Sequence, residues 1–185
     1  MTVEMVAGPP VAFVAQEPST FPGRLGFCPA PGRWRAGDAL QPDELVDGDL
    51  AALCDCGATV LVVLLEEEEM SRIGLARLLE RARSASLEVL WFPIPDGAAP
   101  SDLGAAVRLV ERILERLSSG RTVVVHCHGG IGRSGTIAAA TLVASGSEPG
   151  TALERVREAR PGAATAPGQE QFVYAFAAAW AQRSG

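Results

Sequence analysis

The chain has 185 residues, long enough for one hydrophobic core and too short for two ordinary domains. Apolar residues make up 48% and charged residues 21%, which excludes a disordered or fibrous chain, and the formal net charge of −6 argues against a surface that coats nucleic acid. Neither 136–144 nor 172–181 approaches the ~20 apolar residues of a membrane-spanning helix. The apolar run at 11–15 has no basic cluster before it and is too short for a secretory core. A cytoplasmic monomer with no nucleic-acid or membrane partner is therefore expected. All 16 basic residues are Arg, and with the heavy use of Ala and Gly this points to a GC-rich, bacterial genome.

Residues 1–23 read as an extended or irregular segment and 24–185 as one domain; the Pro- and Gly-rich stretch 8–37 reads as extended or irregular structure wrapped on the domain's edge. Four cysteines are too few for a disulfide scaffold. Cys54 and Cys56 close a predicted helix pointing to different faces, and with no second ligand pair nearby they read as semi-buried thiols, as does Cys28. From residue 40 onward, strand-like and helix-like segments alternate, which predicts an α/β fold: a central, mostly parallel sheet flanked by helices. Strands are predicted at 59–65, 87–92 and 122–126, where Val- and Leu-rich runs suit burial on both faces. The acidic run 66–69 reads as a solvated strand-to-helix turn, since four consecutive residues cannot all face one ion.

Apolar residues at three- and four-residue spacing predict amphipathic helices over 71–84 and 101–117. Ser101 and Asp102 can cap the second, and Gly120 ends it. A buried helix over 134–144 and two more over 149–160 and 167–183 complete a helical C-terminal third.

The most informative segment is Val123-Val124-Val125-His126-Cys127-His128-Gly129-Gly130-Ile131-Gly132-Arg133-Ser134-Gly135, a cysteine and an arginine separated by five residues at a strand-to-helix junction. Unpaired amides and the positive dipole end of a helix start make an anion site, and Gly129, Gly130 and Gly132 let the backbone curl so that N–H groups converge on one phosphate. His128 and Ile131 complete the loop. Such a field favours a thiolate, making Cys127 a nucleophile toward phosphorus. Arg133 offers a planar fork for two phosphate oxygens. The Ser134 hydroxyl is placed to donate to the Cys127 sulfur as it leaves. A base is redundant for an ionised thiol, so His126 is assigned to holding the loop by hydrogen bonds. For His128 a substrate contact and a solvated side chain fit equally well.

Expelling an alkoxide or phenolate requires a proton, and Asp96, on a Gly/Pro loop between a strand and a helix, can supply it at the sheet edge where Cys127 emerges. Asp102 is the rival acid, but its place in a helix's first turn favours capping. No metal and no organic cofactor is required by this chemistry.

The string His126-Cys127-xx-Gly130-xx-Arg133-Ser134 resembles the phosphate loop of the protein tyrosine and dual-specificity phosphatase superfamily. Phe92-Pro93-Ile94-Pro95-Asp96-Gly97-Ala98-Ala99-Pro100 is similar to the general-acid loop of the branch that includes kinase-associated phosphatase. Leu25-Gly26-Phe27-Cys28-Pro29-Ala30-Pro31-Gly32 and Arg160-Pro161-Gly162-Ala163 extend the likeness over residues 24 to 176. The resemblance implies the cysteine-phosphatase fold, a phosphocysteine intermediate, an oxyanion in the site and a phosphorylated protein or peptide as substrate, phosphotyrosine favoured. It also implies that Gln169 orients the water that hydrolyses the intermediate. The rival readings are an inositol-phosphate or phosphoinositide phosphatase, which needs more basic charge than positions 128–132 carry, and a catalytically inactive phosphate-binding module.

Overall fold

Short, β-branched runs build a five-stranded sheet in this computed structural model, which describes residues 8–15, 21–35 and 42–183. In chain order the elements are β1 (Ala12–Phe13), β2 (Arg24–Cys28), α1 (Pro42–Asp55), β3 (Ala58–Val63), α2 (Glu67–Arg72), α3 (Leu78–Ser84) and β4 (Glu88–Trp91). There follow α4 (Leu103–Ser118), β5 (Thr122–His126), α5 (Gly132–Ala144), α6 (Pro149–Ala159) and α7 (Gln169–Ala181). The strand order is β1-β2-β5-β3-β4, all parallel except the antiparallel edge pair β1–β2. The predicted α/β architecture is therefore the observed one.

Each central strand splits its side chains between two cores, as the two-residue repeat of a strand requires. Val60, Val62 and Leu64 join Val123 and Val125 under α4 to α7, while Leu61, Val63 and Leu65 join Val124 under α1 and α3. Burial on both faces explains why β5 is apolar without alternation: every one of its residues is buried. In α4 the apolar residues Ala106, Val107, Val110, Ile113 and Leu117 repeat at three and four positions and are all buried, so Ile113→Ala alone would cost about 2–5 kcal/mol. Asp102 caps this helix, its carboxylate accepting from the Ala105 amide at 2.9 Å.

Three expectations need correction. The segment 8–37 does not stay on the domain's edge, because residues 24–28 form β2, an interior strand paired in register with β5; its Gly26 and Cys28 obscured the apolar run. The helix expected over 71–84 is two helices, α2 and α3. Gly74 adopts φ +78°, the Gly74 amide donates to Ser71 O and the Leu75 amide to Met70 O at 2.7 Å, which together terminate α2. The acidic run 66–69 is not wholly solvated: Glu67 and Glu68 are exposed, but Glu69 is buried in the first turn of α2.

Candidate active site

Because β2, β3, β4 and β5 are parallel, the loops leaving their C-terminal ends gather at one sheet edge. From β5 comes the loop 127–131, which enters α5 at Gly132. The first turn of α5 leaves amide donors without intrahelical partners, at the positive end of the helix dipole. Gly130 is indispensable to this path: its φ is +65°, and a Cβ there would lie 2.1 Å from Pro29 N and 2.3 Å from Cys28 C. The loop is tied to the segment after β2 by the Ala30 amide, which donates to His128 O at 2.9 Å, and to the segment after α6 by the Ala164 amide, which donates to Ile131 O.

Cys127 is only 3% exposed, and its Sγ lies 3.4 Å from Ser134 Oγ, the pair placed together by the start of α5. His126 is wholly buried with Nδ1 3.3 Å from Cys127 O, so Nδ1 carries the proton that the carbonyl accepts. Burial, helped by the nearby Arg133 charge and opposed by the Cys127 carbonyl, holds the His126 imidazole down at about 4, so it is neutral near pH 7. Its Nε2 has no hydrogen-bond partner among the described residues. His128 is half exposed, with Nδ1 3.7 Å from Glu69 Oε1. Gly129 and Ile131 are exposed, whereas Gly130 is buried.

Arg133 is the largest fully buried side chain described. Its Nη1 donates to Glu69 Oε2 at 2.6 Å and to Ile94 O at 2.9 Å, and its Nη2 donates to Glu69 Oε1 at 2.9 Å. This is a two-pronged ion pair between groups 2% and 3% exposed. Burial pushes the Glu69 carboxyl up, but the hydrogen bonds and charge of Arg133 outweigh it and leave it below the usual carboxylate range. Burial disfavours the Arg133 cation, yet Glu69, Cys127 and Asp96 together raise its pKa. Nη2 also lies 2.9 Å from Asp96 Oδ1. Of the five N–H groups of a guanidinium, Glu69 and Ile94 occupy three, Asp96 faces the fourth, and only Nε–H is left.

Asp96 itself is 70% exposed on the loop after β4, which is anchored by the Phe92 amide on Val63 O and the Ile94 amide on Leu64 O. Gln169 is fully buried beside the phosphate loop, where a Cβ on Gly132 would come within 2.9 Å of its Nε2. Its Nε2 donates to Ala98 O at 3.1 Å and its Oε1 accepts from the Ala166 amide at 3.2 Å, which leaves one N–H and one lone pair for a water.

Cys127, Ser134, Arg133, Asp96, Gln169 and the loop 128–132 thus lie at one edge, whereas Asp102 caps α4 and Cys54 and Cys56 lie at the far end of α1. Two side chains at that edge escaped the sequence reading. Glu69 was hidden in a run of four acids, whose alternation between surface and core is settled only by the turn into α2. Asp49, 1% exposed in α1, accepts from the Gly32 amide and the Trp34 indole at 2.7 Å each and pairs with Arg35 at 3.2 Å, fixing the loop after β2. Among the described residues no three His, Cys, Asp or Glu side chains cluster as metal ligands.

Residues 40–147 match the family described as Tc-R-P: Polymorphic toxin system, DSP-PTPase phosphatase. Cyclin-dependent kinase inhibitor 3 from Sus scrofa is 29% identical over 138 residues, 74% of this chain and 63% of that protein, and the Rattus norvegicus protein is 28% identical over the same spans. The chain thus spans just under two thirds of the length of these relatives. Kinase-associated phosphatase with its catalytic cysteine changed to serine superposes with a TM-score of 0.84 at 24% identity, covering 94% of this chain and 97% of that one, a likeness of fold. Tk-PTP in its active form superposes with a TM-score of 0.69 at 31% identity, covering 88% of this chain and 99% of that one. With the family matched over 108 consecutive residues and the same fold in both superposed structures, this chain belongs to the DSP-PTPase phosphatases, within the protein tyrosine and dual-specificity phosphatase superfamily.

Proposed function

We propose that the chain hydrolyses phosphate monoesters on proteins in two steps through a phosphocysteine on Cys127. The observation that carries this reading is the convergence, on one sheet edge, of a loop-held thiol, a clamped guanidinium and a loop carboxylate, with Cys127 Sγ 3.4 Å from Ser134 Oγ and Arg133 Nη2 2.9 Å from Asp96 Oδ1. In the first step the thiolate attacks phosphorus, the P–O bond to the leaving group breaks, and protonated Asp96 gives its proton to the departing oxygen. In the second, water attacks phosphorus and yields a proton to Asp96 while the P–S bond breaks; the Ser134 hydroxyl donates to the departing sulfur. Gln169 orients that water with the N–H and lone pair it has to spare.

Asp96 occupies the side of Arg133 that an incoming phosphate needs. The dianion takes Nη2 and Nε–H from it, and the Asp96 carboxyl, parted from the guanidinium, is free to face the leaving-group oxygen. Burial of Cys127 and Arg133 below the surface favours the long phosphotyrosine side chain over phosphoserine and phosphothreonine.

Turnover of p-nitrophenyl phosphate in the presence of EDTA tests the reading, with Cys127→Ser expected to abolish it while phosphate still binds. Residual activity within tenfold of wild type in that variant would remove Cys127 from the nucleophile's role. Asp96→Asn is expected to lose on the order of 10²–10⁴-fold on a phenyl phosphate and much less on an ester with a strongly acidic leaving group. Equal losses on both would assign the proton elsewhere.

A further inference from the structure

Glu69 faces two bases of the phosphate loop, not one. Its Oε2 accepts from Arg133 Nη1 at 2.6 Å, while its Oε1 accepts from Arg133 Nη2 at 2.9 Å and lies 3.7 Å from His128 Nδ1. That last contact is too long for a hydrogen bond and becomes an ion pair only when the imidazole is protonated. The chain has two histidines, and they stand on either side of Cys127 in opposite surroundings. His126 is wholly buried, whereas the His128 side chain is 43% exposed and lines an open cleft of about 370 Å³ together with Asp96 and Gly129.

The charges at the loop leave a deficit that His128 is placed to meet. Glu69 cancels Arg133, so a phosphoryl dianion arriving beside the Cys127 thiolate finds no net positive charge in that pair. Loop amides and the α5 dipole offset only part of the repulsion. An imidazolium at position 128 turns the pair into a triad of net positive charge around one buried carboxylate. The backbone holds the ring there: His128 O accepts from the Ala30 amide at 2.9 Å, and two residues on, Gly130 packs on Pro29 and Cys28 with no room for a Cβ. With Nδ1–H toward Glu69, Nε2–H is the donor left for an anion.

We infer that His128 is a further substrate-binding residue whose imidazolium, seated on Glu69, meets the phosphoryl dianion, so that binding of the dianion draws a proton from solvent onto the ring. This deepens the phosphatase reading and rests on it only for the identity of the anion. The charged and titratable groups around His128 are Glu69 of α2, Cys127 and Arg133 at the two ends of its own loop, Asp96 after β4, and Arg33 and Arg160 across the cleft. Of these side-chain types only imidazole and thiol ordinarily change charge between about pH 6 and about pH 8, and Cys127→Ser removes the thiol.

Sulfate is the probe, because it stays a dianion where a phosphomonoester itself takes up a proton. Its affinity for the full chain carrying Cys127→Ser is measured by calorimetry across that pH range at constant ionic strength. Binding about fivefold tighter at the acidic end than at the basic end is expected, since an opposite charge within about 4–6 Å favours the protonated ring and the linkage is reciprocal. Imidazole proton resonances are followed alongside; there are two histidines, and His126, held neutral down to about 4, stays out of the window. Saturating sulfate should move the His128 midpoint to higher pH. In His128→Gln the affinity ratio should fall to within about twofold of unity, and in His128→Arg, a permanent cation, binding at the basic end should match that of the parent at the acidic end. The resonance needs no change at position 128, so it decides the matter if either variant unfolds. A ratio that survives His128→Gln, no gain at the basic end in His128→Arg, a midpoint unmoved by sulfate, or no sulfate binding at any pH would each overturn the inference. Failure of the wild-type chain to turn over p-nitrophenyl phosphate would sink the catalytic reading alone, because neither the affinity nor the resonance depends on turnover.

Discussion

At the scale of single residues the Glu69–Arg133 pair governs the site. A buried ion pair contributes little net stability when intact, but removing one partner strands a buried charge and costs about 3–5 kcal/mol. Glu69→Gln should therefore lower the unfolding free energy by about that amount, because Arg133 loses its only buried counter-charge described. Inorganic phosphate should then restore stability more in the variant than in wild type, since the dianion supplies what Glu69 no longer does. Urea denaturation with and without phosphate measures both effects. Equal stabilisation of the two proteins by phosphate would show that Glu69 does not tune Arg133 for its ligand. The turnover number should fall with Glu69→Gln while Glu69→Asp recovers part of it, as expected of a side chain that positions the fork.

At the scale of elements, two glycines make contrasting demands. Gly74 stops α2 at φ +78° and is exposed, so Gly74→Ala strains the backbone and should cost about 1 kcal/mol in thermal denaturation with turnover retained. Gly130 has φ +65° and no room for a Cβ against Pro29 and Cys28. Gly130→Ala must therefore displace the phosphate loop from β2, and should abolish turnover and phosphate binding in a chain that still shows a native circular dichroism spectrum. Retained turnover in Gly130→Ala would mean that the loop and the segment after β2 are not locked together.

At the scale of the whole molecule, buried titratable groups set the response to acid. His126 is held neutral down to about 4, against 6.5 for an unperturbed imidazole. Between these values the unfolded chain binds a proton that the folded chain does not, so stability rises with pH across the window and is complete above it. The shift corresponds to about 3 kcal/mol lost by acidification to pH 4. Glu69, whose folded value is lowered, acts in the same direction: its contribution is present above the ordinary carboxylate range and disappears as pH falls through the folded value. His126→Asn, which can still donate to Cys127 O, should flatten the dependence between pH 6.5 and 4 in urea midpoints. An unchanged slope would place the acid sensitivity in other groups.

What the sequence by itself determined was everything carried by local order. The strands at 58–63, 88–91 and 122–126, the capped helix after Asp102 and the Cys127-to-Arg133 loop at a strand-to-helix junction are written in period, capping and spacing, which short-range physics enforces. The parallel order of those strands was legible too, and with it the gathering of Asp96 and Cys127 at one edge. Tertiary structure alone decided what depends on approach between remote segments. It buried Glu69 rather than its neighbours in the acidic run, because the turn into α2 aims that one carboxylate at Arg133 across 64 positions of chain. It set Asp49 under the loop after β2, broke 71–84 at Gly74, and drew Arg33 and Arg160 to the cleft beside a loop that carries only one basic side chain between its cysteine and its arginine. Charge and hydrogen bonding act through space, so a sequence displays the groups but not which of them will face one another.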